Sequence, residues 1–161
     1  NIIAGINPNS IQTDANGKLW VLCGGSTGPD FIGGTSDDTG GALCKINPLT
    51  FAVEQKFNMP SSVHPIKLNI NSAGNELFFL SGVDGYTGKV IKHSINSTTL
   101  NNTPEINKDF YGLGIDPSSG EIYGAYVPGF TQNGFIFRYT SGFQIIDSAE
   151  VGIAPNFFTF N

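Results

Sequence analysis

The sequence carries one short stretch three times: Asp14-Ala-Asn-Gly-Lys-Leu-Trp-Val21, Asn71-Ser-Ala-Gly-Asn-Glu-Leu-Phe-Phe79 and Asp116-Pro-Ser-Ser-Gly-Glu-Ile-Tyr-Gly124. Each copy sets an Asp or Asn ahead of a Gly-containing turn, then a charged residue, then an apolar or aromatic run. Asp and Asn side chains accept hydrogen bonds from backbone just ahead of them, and Gly supplies the φ > 0 position of a tight turn. Each copy therefore predicts a β-hairpin with half-buried strands on either side.

Working outward from the first copy, Ser10–Asp14 and Lys18–Cys23 are the two strands of its hairpin. A Gly-, Ser- and Asp-rich loop, Gly24–Gly41, separates them from Ala42–Ile46 and Phe51–Phe57, which complete a four-stranded antiparallel unit. The pattern restarts at His64–Ile70, with Glu76–Leu80, Val90–Ile95 and a weaker Leu100–Ile106. It restarts again with Phe110–Ile115, Glu121–Tyr126, Phe135–Tyr139 and Phe143–Val151. Gly152-Ile-Ala-Pro-Asn156 then matches Gly5-Ile-Asn-Pro-Asn9 at four of five positions, which places Phe157–Asn161 where Ser10–Asp14 stands in the first unit.

Asp14, Asn71, Asp116 and Asn161 are thus equivalent, at intervals of 57, 45 and 45 residues, the surplus of the first interval lying in Gly24–Gly41. Four strands at a period near 45 is the repeat of a β-propeller blade. An open β-sandwich does not predict so constant a register. The expected fold is all-β, a single partial β-propeller domain over 1–161. Its blade units cover about 5–60, 61–107 and 108–151, and 152–161 is the first strand of a closing blade. Three blades and one strand cannot close a ring of the usual 4–8 blades. The chain is expected to be the C-terminal part of a larger propeller ring, closed by pairing of the two chain ends, which removes exposed edges. Closure by oligomerisation or by a separate fragment is the alternative.

Composition agrees with strands. Thirteen Phe, five Tyr and 21 Gly, with only 13% charged residues, favour sheets and turns over helices. A net charge of −5 without any Lys/Arg cluster argues against nucleic acid. No apolar run approaches the ~20 residues of a membrane-spanning helix. The start at Asn1, with neither Met nor a signal-peptide pattern, predicts a processed or partial chain.

Several segments, in this order, resemble the bacterial YncE-like surface propellers. They are Pro8-Asn-Ser-Ile with Gly17-Lys-Leu-Trp-Val-Leu-Cys-Gly-Gly25, Ile46-Asn-Pro-Leu-Thr50, Phe110-Tyr-Gly-Leu-Gly-Ile-Asp-Pro117, Gly120-Glu-Ile-Tyr123, Gln132-Asn-Gly134 and Gly152-Ile-Ala-Pro155. The resemblance implies a seven-bladed ring, of which this chain is the C-terminal part, in an exported protein, often lipid-anchored on the outer membrane and sometimes partnered with a TonB-dependent transporter. One branch of that family captures cobalamin. It implies no shared catalytic residues.

Function in a propeller is expected on the face where the loops between second and third strands meet the blade-linking segments. The opposite face carries only the tight turns Ala15–Gly17, Ser72–Asn75 and Pro117–Gly120. The loops Gly24–Gly41, Gly82–Gly88 and Pro128–Gly134 carry Phe31 (after Asp30), Tyr86 and Phe130, aromatics able to stack on a ligand or anchor a partner. The blade links add His64, Tyr111 and Asn156. The candidate binding residues are Asp30, Phe31, His64, Tyr86, Tyr111 and Phe130.

No cofactor or metal is expected. Asp30, Asp37 and Asp38 lack the alternating ligand spacing and bidentate Glu of a calcium loop and read as a solvated acidic loop. His64 and His93 lie in different units without zinc spacing. No Ser/His/Asp order or carboxylate pair is present, and the inner strands offer mainly Asn9, Gln12, Asn69 and Asn71. Cys23 and Cys44 sit on neighbouring strands, where a disulfide would tie the base of the long loop; two buried free thiols are the alternative. The expectation is a non-enzymatic binding protein of the bacterial surface. Its partners would be an outer-membrane transporter or other surface protein, a small-molecule or glycan ligand, and the remaining blades. The alternatives are a metal-dependent propeller hydrolase or lactonase, or a protein scaffold.

Overall fold

The computed structural model describes residues 2–161, which form strands and turns and no helix. The first sheet contains β1 (Pro8–Thr13), β2 (Leu19–Cys23), β3 (Ala42–Ile46) and β4 (Val53–Asn58). The second contains β5 (Ile66–Ile70), β6 (Glu76–Ser81), β7 (Gly88–Ser94) and β8 (Ile106–Phe110). The third contains β9 (Gly112–Ile115), β10 (Ile122–Tyr126), β11 (Asn133–Tyr139) and β12 (Ile145–Ile153). Every sheet is an antiparallel meander, and β5 packs between β1 and β9, so the first strands of the three sheets line one inner edge.

The repeated stretch folds alike each time. Asp14 Oδ1 accepts the backbone N–H groups of Asn16 and Lys18. Asn71 Oδ1 accepts those of Asn75 and Glu76, and Asp116 Oδ1 those of Ser118 and Ser119. Gly17, Gly74 and Gly120 stand at φ 72°, 66° and 73°, the left-handed conformation that a Cβ disfavours. In the first blade the marker carboxylate does more: the buried Asp14 accepts the Trp20 indole N–H at 2.9 Å through its other oxygen.

Alternation along the strands builds two layers of core. Trp20 and Leu22 of β2, with Leu43 and Phe57, meet Leu77, Phe79 and Ile91 of the second sheet. Phe78, Leu80 and Val90 point the other way, onto Leu113, Ile115 and Ile122 of the third. The middle sheet is covered on both faces, which explains why Leu77–Leu80 is continuously apolar.

Two expectations need correction. The fourth strand of the second unit is Ile106–Phe110, not Leu100–Ile106. Pro104 has no N–H for a ladder, so the chain reaches β8 only beyond it, and Tyr111 alone links β8 to β9. Phe157–Asn161 pairs with no strand among the described residues. Its lead-in is nevertheless built like the first one: Asn7 and Ala154, equivalent residues, both adopt left-handed φ, 55° and 52°. Phe158 lies against Gly114 of the third sheet's inner strand, where no side chain intervenes, and Phe158 and Phe160 pack on Tyr123.

Cys23 and Cys44 are free and buried rather than bridged. Cys23 pairs with Ala42 and Cys44 with Val21, so the cysteines are diagonal, not opposite. The two thiols lie in side-chain contact with each other but are not bonded. Cys44 Sγ instead donates to Ala4 O at 3.0 Å, and burial pushes its thiol up to about 11.

Candidate ligand-binding face

The inner edge is held by side-chain amides donating across to the next blade. Gln12 Nε2 donates to Leu68 O at 3.1 Å and Asn69 Nδ2 to Leu113 O at 3.3 Å. Both residues stand two before their turn marker. In the third blade that position is Gly114, and the Phe158 ring takes the place of the amide bond. Nearer the loop face, Asn9 Nδ2 donates to Pro65 O at 2.9 Å.

The long loop Gly24–Gly41 folds over this edge. An isolated bridge between Ser26 and Thr39 prolongs the β2–β3 hairpin beyond its strands. Asp38, expected in solvent, is buried: its Oδ2 accepts the Gly34 and Thr35 N–H groups and contacts His64 Nε2 at 3.1 Å. The other His64 nitrogen, Nδ1, lies 3.0 Å from Gly24 O. Carbonyl and carboxylate are both acceptors, so the two bonds form together only when both ring nitrogens carry hydrogen. The bond to His64 is the main cause that holds the Asp38 carboxyl below its ordinary pKa, with burial opposing it. His64, in the blade link, thus clips the base and the interior of the loop at once. At the loop's tip Gly33 presses onto the Val83 carbonyl of the second blade, a contact with no room for a Cβ.

Beneath the loop is a hollow of about 410 Å³, whose walls include Asn7, Asn9, Ser26, Phe31, His64, Asp84 and Tyr86. A second hollow of about 220 Å³ shares Asn9 and Tyr86 with it and adds Tyr111 and Asn156. A third of about 300 Å³ shares Tyr86 and Tyr111 and adds Val127 and Phe130. Five of the six sequence-predicted residues therefore lie along one continuous depression. Asp30 is the exception: it is exposed, and its Oδ1 accepts the Ile32 N–H within its own turn. The loop aromatics do not fold back on their own loops, for Phe31, Tyr86 and Phe130 are 84%, 67% and 66% exposed. Phe31 also holds φ at 59°, a rare state for a bulky residue and one that occurs preferentially at ligand clamps.

Sequence reasoning missed Asp38 and Asp84. Asp84 caps its loop by accepting the Tyr86 and Thr87 N–H groups and the Thr87 hydroxyl. An Asp followed two residues later by an aromatic in a Gly-rich loop was the available signal.

The three radiating four-stranded sheets define a partial β-propeller. No family model and no curated protein matches the sequence. Among solved structures, the chain is similar to a quinoprotein alcohol dehydrogenase-like protein of Bacteroides thetaiotaomicron, with TM-score 0.64 and 16% identity, covering 88% of this chain and 33% of that one. It is also similar to a gluconolactonase of Xanthomonas campestris, with TM-score 0.58 and 13% identity, covering 99% of this chain and 53% of that one. The chain spans about a third to a half of the structures it matches. These likenesses establish the fold. They also overturn the expectation of a non-enzymatic protein, because a chain of the same fold is a gluconolactonase.

A lactonase of the metal-dependent kind needs carboxylates and amides converging on the inner strands. Here Asn9, Gln12 and Asn69 spend their amide N–H groups on backbone carbonyls of the next strand. Among the described residues, no three His, Cys, Asp or Glu side chains gather into a metal site.

Proposed function

We propose that this chain forms a ligand-binding face of an exported bacterial β-propeller related to the YncE-like surface proteins. The ligand sits in the hollow under Gly24–Gly41, with Phe31 and Tyr86 at its rim and Asn7 and Asn9 in its wall. The observation that carries this reading is the depression on the loop face, rimmed by exposed aromatics from all three blades. Thermal-shift screening of a metabolite panel tests it. Hits on the wild-type chain should vanish in Phe31→Ala and Tyr86→Ala, and hits that persist in both variants reject this hollow as the site. The proposed cell-surface location and transporter partner rest on the sequence resemblance. Fractionation of the native host with crosslinking checks both: recovery with outer membranes and a transporter supports them, and recovery elsewhere refutes them.

A second reading, a sugar-lactone hydrolase, is favoured by the likeness to the gluconolactonase. Hydrolysis of glucono-δ-lactone above the spontaneous rate would support it. A rate equal to buffer, with and without added divalent cations, would reject it for this chain.

A further inference from the structure

The depression continues past the proposed ligand hollow, and its chemistry alternates along its length. Phe31, Tyr86 and Phe130 present exposed rings, one from each blade. Tyr111 lies between the last two, with its ring edge-on to Phe130 at 5.7 Å. Polar groups interrupt the rings: Asn7 and Ser26 beside Phe31, and Asn156 between Tyr86 and Tyr111. The Asn156 Oδ1 atom is buried and has no hydrogen-bond partner. A buried acceptor without a donor is costly, and a side-chain rotation bringing it to the wall of the hollow would let a ligand hydroxyl remove that cost.

The walls are almost uncharged in effect. Lys67 is the one cation along the three hollows, and Asp84, the one carboxylate, has its oxygens engaged by Tyr86 and Thr87. Phosphorylated or polycarboxylate ligands would find a single lysine, Lys67, and no arginine cluster to match their charge. A continuous apolar ligand would strand the polar groups between the rings. The ligand class that offers flat C–H faces at intervals, with hydroxyls in between, is a carbohydrate chain.

Building on the proposed ligand hollow, we infer that the loop face binds an extended neutral oligosaccharide, with sugar rings stacked on Phe31, Tyr86 and Phe130 in turn. Phe31 and Tyr86 hold the sugar nearest the roof loop. Phe130, on the third blade, is reached only by a longer chain.

Isothermal titration with neutral glucose, mannose and xylose oligosaccharides of one to six units tests this on the wild-type chain and on Phe130→Ala. Affinity should rise with length by about tenfold for each further ring engaged, the size of one stacking contact. Phe130→Ala should remove about tenfold from the longest chains and leave the shortest binding sugar within about twofold. Phe130 is exposed, so the variant folds as the wild type does. Affinity independent of length, or equal in Phe130→Ala, overturns the extended site. In that case, loss of short-sugar binding in Phe31→Ala still upholds the hollow beneath the long loop. Failure of every saccharide to bind overturns the carbohydrate assignment, while metabolite hits lost in Phe31→Ala would leave the hollow itself standing.

Discussion

At one end of the three sheets, the turns after Asp14, Asn71 and Asp116 are all capped by the Oδ1 of their own marker, which accepts two backbone N–H groups within five residues. At the other end, the loops after β2, β6 and β10 share no arrangement: one is clipped by His64 and Asp38, one is capped by Asp84, and the third brings Phe130 onto Tyr111. The turn end is satisfied mainly within a few residues of each marker, with one backbone bond, Ala15 N–H to Gly74 O, crossing between the first two blades. At the loop end the Asp84 cap is also local, but the long loop is satisfied across blades, by a blade link and by the neighbouring loop. A local solution can be repeated unchanged, whereas a cross-blade one differs with each neighbour and is free to form a binding face.

The sharpest test of that contrast is Asp14→Ala. It removes the acceptor for two backbone N–H groups and for the buried Trp20 indole. A loss of about 2–4 kcal/mol in denaturant unfolding is expected, against about 1 kcal/mol for Asn71→Ala or Asp116→Ala, whose carboxamide and carboxylate serve only their own exposed turns. Equal losses at the three markers would mean that Asp14 is no more than a turn residue.

The core between the first two blades should be acid-sensitive where the turns are not. His93 is buried edge-on to Trp20 and Phe57, its nitrogens have no hydrogen-bond partner, and burial lowers its pKa to about 4. The unfolded chain takes up this proton near pH 6.5 and the folded chain only near 4. The stabilisation is therefore complete above about pH 6.5 and is lost as pH falls through about 4. Unfolding at a series of pH values should show a decline of about 2–3 kcal/mol across that window, absent in His93→Leu. The same decline in both proteins would assign it to other groups.

At the loop end, Gly33→Ala places a methyl against the Val83 carbonyl. The change should lower global stability by no more than about 1 kcal/mol, because the loop lies outside the core, yet speed proteolytic cleavage within Gly24–Gly41 several-fold. Unaltered cleavage would show that the loop is held by the His64 clip alone. The smallest effect belongs to the exposed rings. Phe31→Ala, Tyr86→Ala and Phe130→Ala should each keep unfolding free energy within about 0.5 kcal/mol of wild type. A larger loss would mark them as packing residues and weaken their role as a binding surface.

Much of the fold was legible because it is periodic. The strands around each marker appear within a residue or two of their expected limits, since an alternating apolar pattern and an Asx turn are local signals. Leu100–Ile106 failed because its apolar residues resemble a strand while Pro104 denies it the ladder. At the site, Phe31, Tyr86 and Phe130 were legible as aromatics in Gly-rich loops. Asp38 was not, because nothing in Ser36-Asp-Asp-Thr39 reveals that His64, 26 residues away, closes on the second Asp. The cysteines were legible as neighbours, but a diagonal register and an opposed one differ by a two-residue shift that keeps every side chain on its face, so alternation does not resolve it.

The sequence by itself determined a repeating four-stranded unit, its period, the identity of its turns and the end of the blade where variation lies. These follow from contacts within about five residues and from alternation, which the order of residues states directly. Only the tertiary structure decided what the variable end does. The burial of Asp38 by His64, the unpartnered Asn156 oxygen and the merging of three hollows into one depression depend on where separate blades meet. No local pattern encodes a meeting between residues so far apart in the chain.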